Sequence, residues 1–99
     1  MQVYNNMKNY RLHKREKSMD ELPFEWDSVH SIPDVAQKHN YKAYLVYAYI
    51  HSGVVFSRVP FADKWDSGVA CVLLFPKKCV RSTYKVDNFI DKLNGEYYD

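Results

Sequence analysis

The sequence predicts an α+β domain in which a small antiparallel sheet of three or four strands packs against a C-terminal amphipathic helix, with a short helix near residues 32–40. Two strand signals and one helical stripe support this prediction. The strand signals are an uninterrupted apolar run over Val69–Phe75 and a tyrosine- and valine-rich stretch over residues 43–58. With 99 residues and a 46% hydrophobic composition, the chain is sized for a single domain over residues 1–99 and excludes general disorder.

The first third of the chain is polar and irregular. Residues 1–18 contain five basic residues and one acid, a net charge of +4, and residues 19–27 contain four acids, a net charge of −4. Because Asn5 and Asn6 are poor helix formers, residues 3–17 are compatible with a short helix or with a frayed arm, and a flexible basic arm over residues 1–18 is one expectation. Leu22, Phe24 and Trp26 alternate around Pro23, which is typical of extended chain packed on a surface.

A helix is expected to begin after Ser31. Ser31 can accept a hydrogen bond from the first turn, Pro33 occupies a position where its missing N–H costs nothing, and Asp34 suits the positive end of the helix dipole. We expect this helix to end at about Asn40.

The middle of the chain predicts a β-hairpin followed by a buried strand. Residues 43–58 are broken at Ser52-Gly53, which we take as the centre of the hairpin turn. Apolar and aromatic residues occupy both odd and even positions of Tyr41 to Ile50, as expected for a strand that is covered on both faces. If that strand lay at the border of the sheet, its edge would favour pairing with a second copy, so a homodimer is left open.

The C-terminal region predicts an amphipathic helix. Its apolar stripe is the set Val86, Phe89, Ile90 and Leu93, with Ser82-Thr83 as a cap and Asn94-Gly95 as the end. Packing this stripe on one face of the sheet would give two layers. Glu96 to Asp99 are compatible with a short strand or a frayed end.

The net charge and the spacing of cysteines and histidines argue against a metal site but exclude few other classes of function. A net charge of +2 is too small to indicate nucleic acid, although a second acid-free basic stretch is a candidate contact surface. That stretch comprises Lys77, Lys78, Arg81 and Lys85. Cys71 is expected in the core, and Cys79 is expected to be the more accessible thiol. The spacing of the cysteines and of the histidines fits no metal-binding or redox motif, so we expect no metal and no cofactor.

Residues 51–68 form the most distinctive motif of the sequence. Two Ser-Gly corners flank an aromatic loop, and we expect Gly53 and Gly68 to take positive φ, Asp66 to fix its turn, and Phe61 and Trp65 to anchor the loop on the sheet. The alternative is that polar groups near the strand ends converge on a pocket. The candidate site residues are His51, Ser52, Gly53, Ser57, Phe61, Trp65, Asp66, Ser67 and Gly68.

This motif resembles a family of small, mostly uncharacterised proteins from bacteriophages and other mobile elements. The shared pattern is a tyrosine-rich strand, His-Ser-Gly, a serine, Pro-Phe and Trp-Asp-Ser-Gly, and it is matched throughout Tyr44–Gly68, with a helix and Gly95-Glu96-Tyr97-Tyr98 behind it. This chain departs from the pattern at Ile50, where relatives have an acid, and at Val69, where they have Gln or Lys; relatives also continue into a final strand. The resemblance implies a mobile-element origin and action in the host cytoplasm, but no reaction.

Three functions follow as hypotheses. The leading one is a non-enzymatic protein that binds a host macromolecule, as an anti-defence inhibitor or host-takeover factor does, with a host protein as the expected partner. Its candidate contacts are Trp26, Tyr97, Tyr98 and the basic residues of the stretch 77–85. The second is nucleic-acid binding, with phosphates held by the N-terminal basic residues and bases stacked on Tyr4 or Tyr10. The basic residues are Lys8, Arg11, Lys14, Arg15 and Lys17.

The third hypothesis is a small-ligand-binding or hydrolytic protein. His51 would act as base, Ser57 or Ser67 as nucleophile, and Asp66 would orient the histidine. A single hairpin is expected to place His51 and Asp66 at opposite ends of the sheet unless the loop between them crosses back, which counts against this hypothesis. The first twenty residues show no secretory signal and no apolar run is long enough to span a membrane, so an intracellular location without a membrane partner is expected.

Overall fold

A computed structural model describes residues 1–97. Its five strands are β1 (Gln2–Asn5), β2 (Lys17–Ser18), β3 (Tyr41–Ile50), β4 (Val54–Ser57) and β5 (Ser67–Pro76), and its two α-helices are α1 (Ile32–Lys38) and α2 (Ser82–Tyr97). Single 3₁₀ turns cover Met19–Glu21 and Val29–Ser31. The predicted α+β class is confirmed, but the sheet has five strands rather than three or four.

The sheet is mixed, with strand order β2-β1-β5-β3-β4. β1 and β2 are parallel, and every other neighbouring pair is antiparallel. The prediction of a helix or frayed arm over residues 3–17 is wrong for β1, which pairs Val3 with Leu73 and Tyr4 with Val72. Because these partners are distant in sequence, no local periodicity signals the strand. Residues 1–18, where a flexible arm was one expectation, thus contribute two strands.

The predicted hairpin is confirmed. β3 and β4 are antiparallel, with Tyr49 opposite Val55 and Ile50 opposite Val54. β3 also pairs along its length with β5, with a register shift between Val46 and Tyr47. β3 is therefore not a border strand over its last four residues, since β5 and β4 flank it there.

Both faces of the sheet are covered, so the domain has three layers rather than the two that were expected. On one face, the stripe of α2 packs on β-strand residues that include Val46, Leu73 and Phe75. On the other face, the segment between β2 and β3 covers Val72 and Leu74; its buried residues are Met19, Leu22, Phe24, Ile32 and Ala36. Burying each large apolar side chain contributes about 1.5–3 kcal/mol, so both layers stabilise the sheet.

The helix boundaries differ in detail from the predictions. The Ser31 side chain does not cap α1; its hydroxyl donates to the Ser28 carbonyl oxygen at 2.6 Å. The chain leaves α1 through Asn40, whose φ of 65° is left-handed, a conformation that asparagine tolerates after a helix. α2 does not end at Asn94-Gly95 but continues to Tyr97. Tyr98 and Asp99 lie outside the described residues.

Ser82 is a structural contact rather than an exposed cap. It is 3% exposed, and its Oγ lies 2.7 Å from the Tyr44 hydroxyl, which joins the start of α2 to β3. Neither helix within residues 1–97 is long and apolar enough to cross a membrane.

Candidate functional site

The two Ser-Gly corners lie at the same end of the sheet, because the loop between them crosses back, which is the exception to the expectation that one hairpin separates them. β4 has only four residues, and the loop 58–66 then returns to β5, which is the other neighbour of β3. The Ile50 N–H donates to the Asp66 carbonyl oxygen at 2.8 Å. His51 Nδ1 consequently lies 3.4 Å from Asp66 Oδ2, and the His51 and Asp66 side chains are 68% and 43% exposed.

The loop is shaped by an aspartate that sequence analysis missed. Asp63 Oδ1 accepts the Trp65 N–H at 2.9 Å and the Asp66 N–H at 3.3 Å, and the Asp63 carbonyl oxygen accepts the Ser67 hydroxyl. This is the role expected of Asp66. The Asp63-Lys64-Trp65 spacing of an Asx turn was the signal that could have identified it.

The two Ser-Gly corners do not depend on a left-handed glycine conformation. Among residues 1–97, no glycine has positive φ, so the expectation for Gly53 and Gly68 is wrong. At the first corner, the His51 N–H donates to the Gly53 carbonyl oxygen at 3.1 Å, which closes the turn without left-handed backbone.

Trp65 does not anchor the loop. Its side chain is 96% exposed, so the expectation that it packs on the sheet is wrong. Of the two expected anchors, only Phe61 contacts the sheet: its ring centroid lies 5.6 Å from that of Tyr49. Because Asp63 already fixes the backbone, the loop keeps its shape without burial of Trp65.

Exposed apolar side chains are concentrated in this region. Within residues 1–97, four of the exposed large hydrophobic residues belong to the segment 50–65: Ile50 (39%), Val55 (49%), Val59 (65%) and Trp65 (96%). Tyr49 adds a half-buried ring that stacks on His51 at 6.2 Å. We call this set the rim surface, defined as Tyr49, Ile50, His51, Val55, Val59, Phe61, Trp65 and Asp66. It surrounds the end of the hairpin, since Tyr49 and Val55 are cross-strand partners on one face and Ile50 alternates to the other.

The rim surface also carries negative charge beside an aromatic hydroxyl. Desolvation raises the pKa of Tyr49, and the charges of Asp63 and Asp66 raise it further, as does a hydrogen bond to Asp63. The single O–H of Tyr49 is thus directed to Asp63, which links the rim aromatic ring to the loop.

The serines of the motif are not aligned with His51. The Ser57 hydroxyl oxygen accepts the Val59 N–H at 3.0 Å, and the Ser67 hydroxyl donates to Asp63. Among the described residues, no serine hydroxyl is hydrogen-bonded to His51. The geometry brings together the base and the orienting carboxylate of a triad but not its nucleophile. Ser52 is exposed at the corner, and Gly68 lies in β5.

The basic stretch at residues 77–85 is divided between two clefts. Lys77 borders a small cleft beside Tyr41, the Arg81 guanidinium lies 4.7 Å from the Tyr84 ring centroid, and Lys78 is exposed. Lys85 instead shares a larger cleft with Arg11 and Lys14.

Two other expectations concern aromatic and sulfur side chains. Tyr4 is a core residue and Tyr10 packs edge-on against Tyr97, so Tyr4 is not available to stack on a base as expected. Cys71 is buried, as predicted, and burial raises the pKa of its thiol; Cys79 is partly buried. The described residues contain no group of three or more His, Cys, Asp or Glu side chains that could hold a metal ion.

Comparison of the chain with family models, with curated proteins and with solved structures yields no match.

Proposed function

We propose that this protein is a non-enzymatic binding protein of a bacteriophage or other mobile element, and that its rim surface binds a host protein in the host cytoplasm. An anti-defence inhibitor or a host-takeover factor would act in this way, by occupying a surface of its target. The observation that carries the proposal is the exposure of Trp65 together with Ile50, Val55 and Val59 in one segment.

The chemistry of the rim surface supports a protein partner. Four exposed apolar side chains lie within one short segment around the hairpin end, and among interface residues tryptophan and tyrosine contribute most to protein–protein affinity. The loop that carries Trp65 is held in shape by Asp63, so little conformational entropy would be lost when a partner covers it. Asp66 and His51 would then form a polar rim beside the apolar contact.

Affinity capture from a bacterial lysate with matched variants tests the proposal. Trp65→Ala and Val59→Asp alter the rim surface, whereas Val80→Asp alters a valine that is 90% exposed before α2. We expect wild type and Val80→Asp to retain the same host protein and both rim variants to lose it. Retention of that protein by all four chains, or of none by wild type, would contradict the proposal.

A further inference from the structure

A second surface, separate from the rim surface, has the features of a ligand site. A cleft of about 650 Å³ lies between the loop 11–14 and the flank of α2, where its buried stripe meets solvent. Its floor is apolar and is formed by Leu12, Phe89 and Leu93. Its walls carry four basic side chains and one acid: Arg11, Lys14, Lys85, Lys92 and Glu96. We call this the basic cleft.

The positive charge of the basic cleft is not neutralised by ion pairs. Within residues 1–97 the salt bridges are His51–Asp66 and Arg58–Asp87, and neither involves a cleft residue. Arg11 donates one hydrogen bond, to the Lys14 carbonyl oxygen at 3.0 Å, which leaves its other donors available. Glu96 in the wall and Glu16 near Arg11 are the carboxylates that face these cations, so the four basic side chains leave an excess of positive charge that attracts an anionic ligand.

The loop wall of the basic cleft is rigidly held. Glu16 Oε1 accepts the N–H groups of Leu12 and His13 at 2.6 and 3.0 Å, and Glu16 Oε2 accepts the Asn5 amide at 2.7 Å. At the far end, the Tyr97 hydroxyl donates to the Arg11 carbonyl oxygen. A preformed wall reduces the entropy lost on binding.

We propose that the basic cleft binds a nucleotide, with its phosphates on the lysines and Arg11 and its base on the apolar floor. The volume falls in the range of small-molecule sites, about 300–1,000 Å³. The half-buried His13 ring, whose centroid lies 6.1 Å from that of the buried Phe89, is the aromatic side chain of the cleft that a base can contact. Lysine and arginine are the usual partners of phosphate. A free nucleotide and one unit of a single strand share this chemistry.

Binding of labelled ATP and of a short labelled single-stranded oligonucleotide, measured at about 50 and 200 mM salt, tests the proposal. The cleft variant is Lys85→Gln/Lys92→Gln, and the control is Lys77→Gln/Lys78→Gln, which removes the same charge outside the cleft. We expect the cleft variant to weaken binding at least about tenfold and the control less than about twofold. Thermal unfolding of each variant checks that the variant still folds.

The outcomes separate the sources of the ligand. Tighter binding of the oligonucleotide with a steep salt dependence identifies a strand, and equal or tighter binding of ATP identifies a free nucleotide; both support the proposal. No binding of either probe, or equal losses in both double variants, would overturn it. If tripolyphosphate or poly-glutamate, which carry no base, displaced the labelled probe as effectively as unlabelled ATP does, the proposed role of the base would be overturned. None of these results bears on the rim surface.

Discussion

Asn94 pairs with the backbone of Phe56 as a neighbouring β-strand would. Its Oδ1 accepts the Phe56 N–H at 2.8 Å, and its Nδ2 donates to the Phe56 carbonyl oxygen at 3.0 Å. One side chain of α2 therefore satisfies the outward backbone groups at the centre of β4. An occupied edge of this kind hinders pairing with another chain and also attaches α2 to the sheet.

Replacing Asn94 by alanine should destabilise the fold. Asn94→Ala leaves the Phe56 N–H and carbonyl without their partners, and we expect a loss of about 1–3 kcal/mol in the free energy of unfolding. Urea denaturation measures it. Asn88→Ala is the matched control, because Asn88 is an exposed asparagine of the same helix; equal effects of the two substitutions would contradict the role of Asn94.

Glu16 should make stability depend on pH. Partial burial acts to raise its pKa, but hydrogen bonds from Asn5, Leu12 and His13 and the charge of Arg11 outweigh it and lower the pKa. A carboxyl with a lowered folded-state pKa contributes stability above its unfolded pKa of about 4.5, and this contribution is lost as the pH falls through the folded-state value.

We therefore expect Glu16→Gln to reduce the unfolding free energy at pH 7 and to flatten its decline below about pH 4.5. Denaturant titrations across pH 3–7 provide the measurement. Glu25→Gln removes the same charge from an exposed position and should leave the profile almost unchanged. A Glu16→Gln profile parallel to that of wild type would show that the carboxylate does not hold the loop.

Trp65 should contribute almost nothing to stability. Since its side chain is 96% exposed, Trp65→Ala should change the unfolding free energy by less than about 0.5 kcal/mol. The buried Phe75 is the comparison, and Phe75→Ala should cost about 3–5 kcal/mol. A loss of more than about 2 kcal/mol in Trp65→Ala would mean that the indole packs on the sheet after all.

The two cysteines should react with thiol reagents very differently. Burial raises the pKa of Cys71, so its thiolate population is negligible in the folded protein, whereas Cys79 is partly exposed. In a Cys79→Ser variant we expect no modification until the protein unfolds. In a Cys71→Ser variant, Cys79 should react under native conditions. Rapid native labelling of Cys71 would contradict its place in the core.

Elements specified by local pattern were predictable from the sequence. The hairpin at Ser52-Gly53, the apolar run of β5 and the stripe of α2 each arise from neighbouring residues. β1 was not predictable, because Val3 and Tyr4 become a strand only through β5, about seventy residues further along. The third layer was missed for the same reason: Leu22 and Phe24 signalled burial but not the face that they cover.

The position of the candidate site in the chain could be predicted from the sequence, but the arrangement of its side chains could not. The sequence identified residues 51–68 as the distinctive segment, and His51 and Asp66 do meet there. The burial of Trp65 was predicted from the general preference of tryptophan for cores, which does not account for a loop already fixed by Asp63. The proximity of Lys85 to Arg11 depends on how α2 packs and has no counterpart in sequence spacing.

Burial of Trp65 by a captured host protein is the most direct test of the proposed function. Protein of the Trp26→Phe variant labelled with 5-fluorotryptophan has one ¹⁹F resonance, from Trp65, and an unlabelled partner contributes none. We predict that adding the purified partner shifts this resonance and removes its sensitivity to solvent isotope. A complex that forms while the Trp65 resonance stays at its solvent-exposed position would show that the rim surface is not the binding site.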